Sequence, residues 1–118
     1  MAVKVKNVYD QAERTDGVRI LVDRLWPRGL TKDEAALDEW IRDVAPSNKL
    51  RAWFGHKPDR WHEFQGRYRK ELGMPERKAI VHRLRKISGI ATVTLLYAAK
   101  DEEHNNAVVL AAILTKKR

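Results

Sequence analysis

The chain has 118 residues, 43% of them hydrophobic and 34% charged, enough for one compact domain over residues 1–118 and too short for two ordinary ones. It contains no cysteine, which excludes disulfides, thiol nucleophiles, thiolate zinc sites and iron–sulfur clusters. The formal net charge of +8 is concentrated, because eight basic residues stand against two acidic ones between Arg67 and Lys86.

In chain order, the first ten residues (MAVKVKNVYD) hold no apolar signal core, and Val3 and Val5 alternate with lysines as in a half-buried strand. A turn at Thr15, Asp16 and Gly17 leads to VRILVDRL, a second and more buried strand rich in β-branched residues. Pro27 cannot donate to a ladder, so this strand is predicted to end near Arg24 or Leu25. Thr31 with Glu34 has the pattern of a capping box and opens a short helix, KDEAAL. A further helix is predicted over LDEWIRDVA, since Leu37, Trp40, Ile41 and Val44 fall on one helical face, with Pro46 as its stop.

Ser47 is the predicted cap of NKLRAWFG, which Gly55 ends. Pro58 sits in the first turn of PDRWHEFQGRYRKELG, whose stripe of Trp61, Phe64, Tyr68 and Leu72 is a core face. Pro75 opens PERKAIVHRLRKISG, with Ile80, Val81, Leu84 and Ile87 inside. The apolar run ATVTLLYAA reads as a central strand buried on both faces. In DEEHNNAVVLAAILTKKR, Asp101 is the predicted N-cap, Glu102 and Glu103 occupy the first turn, and Lys116, Lys117 and Arg118 the last. The predicted class is α/β: a small single-domain sheet of about three strands, mixed or parallel, covered by about five helices. The longest apolar runs, AVVLAAIL and VTLLYAA, are too short to cross a bilayer, so a cytoplasmic protein without a membrane partner is expected.

Ligands of open α/β sheets bind beyond the carboxyl ends of the strands. Here one strand runs out into Asp23, Arg24, Trp26, Pro27, Arg28 and Gly29, and the central strand into Tyr97, Ala98, Ala99, Lys100 and Asp101, then His104, Asn105 and Asn106. If the two strands are parallel neighbours, these residues meet. Arg24 and Arg28 would then clamp a phosphate or carboxylate, with Tyr97 and Lys100 beside it and Asn105 orienting it. Asp23 or His104 is the candidate general base. The competing reading is a closed salt-bridge network, Arg24 with Asp101 and Asp23 with Lys100, because charge clusters mark sites and scaffolds alike. His56 and His62 are six apart with no third ligand near, so no metal is expected. The chain has no G-x-G-x-x-G, Walker or G-x-S-x-G motif, so no cofactor is expected either.

The strings DGVRILVDRLWPRGL and TVTLLYAAKDEEHNNAVVLAAIL closely resemble the YeaO-like branch of the bacterial domain of unknown function 488 family, over nearly the whole chain. The resemblance implies a small cytoplasmic α/β protein and no established reaction. The wider family's motifs resemble D-V-R-x-x-P and a strand ending in C-x-E followed by C-H-R. The matching positions here are Asp23, Arg24 and Pro27, then Ala98, Lys100 and the stretch around His104. Both cysteines are absent, so no thiol role carries over. The distinctive strings fall on the same two strand ends, and RAWFGH (Arg51 to His56) is a third candidate rim element.

Three functions stay open. One is a small enzyme or ligand-binding protein for an anionic, phosphorylated or nucleotide-like molecule at the strand ends. Another is a nucleic-acid-binding module using Arg67, Lys70, Arg77, Lys78 and Arg85. The third is a structural or interaction protein without catalysis. Oligomeric state is not readable from the sequence.

Overall fold

The computed structural model describes residues 2–116. Its sheet has four parallel strands in the order β1-β4-β2-β3, formed by β1 (Val3–Asn7), β2 (Val18–Leu21), β3 (Glu39–Trp40) and β4 (Val93–Tyr97). β4 is flanked on both sides, and all five of its residues are buried. Its near-continuous apolar run demands that position, and Thr94 within it donates its hydroxyl to the Asp16 carbonyl at 2.6 Å. Gly17 lets β2 lie against β4. Its φ is 66°, and a Cβ there would stand 2.2 Å from the Thr92 carbonyl oxygen.

Five α-helices are found among the described residues: α1 (Lys32–Ala35), α2 (Asn48–Phe54), α3 (Trp61–Leu72), α4 (Pro75–Ser88) and α5 (Asn106–Thr115). The apolar stripes of α2 to α5 pack with Ile20, Val93, Leu95 and Tyr97 on one face of the sheet. On the other face Leu21 and Leu96 meet Val8, Ala35 of α1 and the loop after β2. Strand alternation sends Arg19 to this second face, where it is 4% exposed. There its guanidinium donates to the Asp16 carboxylate at 2.5 Å and to the carbonyls of Ala35 and Ala36, tying α1 to β2.

Two of the three predicted N-caps form as expected. Thr31 accepts from the Glu34 N–H at 3.1 Å while Glu34 accepts from the Thr31 N–H at 2.9 Å, and Ser47 accepts from the Leu50 N–H at 3.2 Å.

The sheet has one strand more than expected, and it replaces a predicted helix. LDEWIRDVA is not helical at its start: Glu39–Trp40 form β3, and a 3-10 turn follows at Arg42–Val44. The open edge of β2 decides this. The Asp38 N–H donates to the Arg19 carbonyl at 2.9 Å, the Asp38 carboxylate accepts from the Arg19 N–H at 2.8 Å, and the Ile41 N–H donates to the Leu21 carbonyl at 2.9 Å. A helix here would leave those backbone groups unpaired.

The last helix also begins later than expected. Asn105, not Asp101, is its N-cap, with its side-chain oxygen accepting from the Val108 N–H at 3.1 Å. Asp101 instead closes a turn, accepting from the N–H groups of Glu103 at 2.9 Å and His104 at 3.1 Å. Glu102 and Glu103 therefore lie outside the first helical turn, and Lys117 and Arg118 lie outside the described residues.

Candidate functional site

Because all four strands are parallel, their carboxyl ends share one edge of the sheet. A cavity of about 330 Å³ opens there, and the segments following every strand contribute to it. Tyr9 comes from the loop after β1, Asp23 to Arg28 from the loop after β2, and Ala45 and Pro46 from the segment after β3. Ala98, Ala99 and His104 to Asn106 follow β4, while Arg51, Phe54 and His56 come from α2 and its end, and Phe64 from α3.

Two tryptophans hold the loop after β2, its own Trp26 and Trp40 of β3. Trp26 donates its indole N–H to the Leu30 carbonyl at 2.6 Å, Trp40 donates to the Asp23 carbonyl at 2.7 Å, and the two rings meet edge-on at 5.3 Å. Tyr9 donates its hydroxyl to the Arg28 carbonyl at 2.8 Å, pinning the far end of the same loop. Gly55 and His56 take successive left-handed conformations, φ 53° and 56°, and so turn the chain after α2 back toward the cavity. For a non-glycine residue that conformation costs on the order of 1 kcal/mol, and here it sits at the cavity wall.

Asp23 is the sole carboxylate of the lining. Its Oδ2 accepts from the Ala98 N–H at 2.9 Å. Burial raises its pKa above the ordinary carboxylate value, against the opposing pull of the Ala98 N–H, the Asn106 carboxamide, Arg51 and His56. His104 Nδ1 lies 2.8 Å from Asp101 Oδ2, and its ring stands edge-on to Trp61 at 5.2 Å, so the imidazole has a fixed orientation. That contact with His104, followed by the Glu103 N–H, holds the Asp101 carboxyl below the usual range.

Arg24, Arg28 and Arg51 all line the cavity. Arg24 donates to the Pro46 carbonyl over a long 3.5 Å, and Arg51 donates to the Asn48 side chain at 3.3 Å. None of the three has a carboxylate partner among the described residues. The pairs that would have closed a scaffold, Arg24 with Asp101 and Asp23 with Lys100, are likewise absent among the described residues.

Of the residues singled out in the sequence, Asp23, Arg24, Arg28, His104 and Asn105 thus come together, joined by Arg51 and His56 from the third rim element. Asn105 spends its side chain on capping α5 and on the Asp101 carbonyl. Tyr97 and Lys100 do not line the cavity. Tyr97 is buried with the helix-covered face, and Lys100 is exposed on the turn after β4. Tyr9 is a lining residue that the strand-end pattern does not single out, whereas Asn106, which that pattern names, also lines the cavity. Asn106 donates to the Val22 carbonyl at 2.9 Å and so ties α5 to the end of β2.

Within the basic cluster, several side chains have partners inside the protein. Arg67 pairs with Glu63 and stacks on Trp53 at 4.3 Å. Arg77 donates to the Ala45 carbonyl at 3.1 Å, and Arg85 donates to the Ile113 carbonyl at 2.9 Å. Lys70 is exposed on α3, while Lys78 and Arg85 border a separate hollow on α4. Among the described residues, no group of three or more His, Asp or Glu side chains converges as metal ligands would, and no helix is long and apolar enough to cross a membrane.

A family model described as "Inactive DUF488-N3 subclade" matches residues 2–118. The uncharacterised protein YeaO of Escherichia coli (strain K12) is 45% identical over 111 residues, covering 94% of this chain and 95% of its own length. An uncharacterised protein of Mycobacterium tuberculosis (strain H37Rv) is 42% identical over 112 residues, covering 95% of this chain and 92% of its own. No solved structure matches. A match over almost every residue, shared with relatives of the same length, settles the ancestry: the chain belongs to the inactive DUF488-N3 subclade, on the YeaO-like branch of that family.

Proposed function

We propose that the cavity at the strand ends binds a small anionic molecule, phosphorylated or nucleotide-like, and does so without thiol chemistry. One observation carries this reading: three arginines line a single cavity, and none of them is in a salt bridge with a carboxylate among the described residues. Elsewhere in the same protein arginines find carboxylates, as Arg19 does with Asp16 and Arg83 with Glu39. Like charges around one hollow repel one another, an anion among them relieves that repulsion, and the guanidinium fork suits phosphate oxygens. The carboxylate of the lining, Asp23, makes no salt bridge with any of the three and accepts instead from the Ala98 N–H at 2.9 Å. The α5 N-terminus, clear of Glu102 and Glu103, adds a positive dipole end to the same wall.

Binding is preferred to catalysis for two reasons. The subclade's own description is "inactive", and the resemblance to the wider family sets Ala98 at a position where a cysteine stands in its motif. The nucleic-acid reading has less support, because three of its five candidate side chains are committed to internal partners.

Titration calorimetry with inorganic phosphate at low ionic strength tests the proposal. The wild type is expected to bind. Arg24→Ala and Arg51→Ala should each weaken binding roughly 10- to 100-fold, the value of a charge-assisted hydrogen bond of about 1.5–3 kcal/mol. Absence of binding by the folded wild type at millimolar phosphate would reject the reading.

A further inference from the structure

We infer that the ligand is a free organic phosphate of about mononucleotide size, whose flat apolar body lies against Tyr9 and Leu25 while its phosphate meets the guanidiniums. This rests on the anion-binding reading above and adds what else the ligand must carry. A water molecule takes up about 30 Å³ of liquid, so a cavity of about 330 Å³ is far larger than an inorganic anion needs. It lies at the small end of the range for organic ligands, which favours a single small molecule over a dinucleotide or a strand.

The second observation is where the protein exposes apolar surface. Among the described residues, four large hydrophobic side chains are exposed, and two of them, Tyr9 at 49% and Leu25 at 57%, border this cavity. A lone exposed leucine needs no explanation, but an exposed leucine and an exposed aromatic ring on the rim of a guanidinium-lined hollow do. Tyr9 is also oriented in advance. Its hydroxyl is fixed on the Arg28 carbonyl, so its ring can receive a flat partner with little loss of conformational freedom. Behind the rim, Phe54 and Phe64 stack at 4.4 Å and give the hollow an apolar floor. Cationic residues and fixed apolar surface in one cavity describe a ligand with an ionic head and a ring.

The test compares inorganic phosphate, phenyl phosphate and adenosine monophosphate by titration calorimetry on the full chain, wild type and Leu25→Ser. Leu25 is exposed, so its replacement leaves the core intact, and the circular dichroism spectrum and melting temperature of the variant confirm that. The expected result is that both organic phosphates bind wild type roughly tenfold or more tightly than inorganic phosphate, the worth of covering one ring. In Leu25→Ser that ratio should shrink. Equal affinity for all three ligands, with binding still lost in Arg24→Ala, would overturn the inference and leave the anion reading standing. A preference for organic phosphates that Leu25→Ser does not reduce would also overturn it. No binding of any of the three would remove both.

Discussion

Asp23 sits between opposing influences, and the balance has a measurable sign. Burial favours its neutral form, while the Ala98 N–H, Asn106, Arg51 and His56 favour its charge, and burial prevails. A carboxyl whose folded pKa is raised holds its proton more tightly in the folded protein than in the unfolded chain. Its contribution to stability is therefore greatest below the unfolded value of about 3.9 and falls as pH rises from there through the folded value. Above the folded value the ionised group is a standing cost, of the kind that binding sites commonly carry. Asp23→Asn removes the charge and keeps a side-chain oxygen to accept from the Ala98 N–H. The variant is expected to melt at a higher temperature than wild type at pH 7, with the advantage disappearing near pH 3. A lower melting temperature at pH 7 would mean that attraction to Arg51 and His56 outweighs burial.

At the scale of elements, what the sequence made legible was whatever depends on near neighbours. The caps at Thr31 and Ser47, the stripes of α3 and α4 and the unbroken run of β4 are local patterns, and each appears in the fold. β3 is not local. Its residues have helical spacing, and only the presence of β2 with an unpaired edge makes two extended residues the better solution. The start of α5 shows the same limit, since Asp101 and Asn105 are both good capping residues. The choice depends on His104, which takes the Asp101 carboxylate. The cavity lining was legible where strand ends could be recognised, at Asp23, Arg24, Arg28 and His104. It was not legible at Tyr9, whose strand is the other neighbour of β4, nor at Tyr97, whose place in the alternation of β4 puts it in the core. The cap of α5 belongs to fold and site together. Asn105→Ala is expected to cost about 1 kcal/mol, the usual worth of an N-cap, and to weaken phosphate binding, because Asn105 also lines the cavity. Denaturant melts and phosphate titration of the same variant check both halves. Full stability after the substitution would mean that water replaces the cap.

At the scale of the molecule, the question is whether its two apolar clusters behave as one. The larger cluster joins Ile20 and Leu95 to α2, α3, α4 and α5 on one face of the sheet. The smaller joins Leu21 and Leu96 to α1 and the loop after β2 on the other. Both are built on adjacent residues of the same two strands, so neither cluster can come apart while β2 and β4 stay paired for the sake of the other. The radius of gyration of 13.5 Å equals the roughly 13.5 Å expected for a compact domain of this length. One cooperative transition is therefore expected, with a calorimetric enthalpy of about 80 kcal/mol near 60 °C that equals the van't Hoff value. Adding phosphate should move this single transition upward as a whole, because a ligand seated among the loops after all four strands is released only when the sheet edge opens. Two resolved transitions, or a phosphate effect confined to part of the unfolding enthalpy, would show that the strand-end loops open independently of the sheet beneath them.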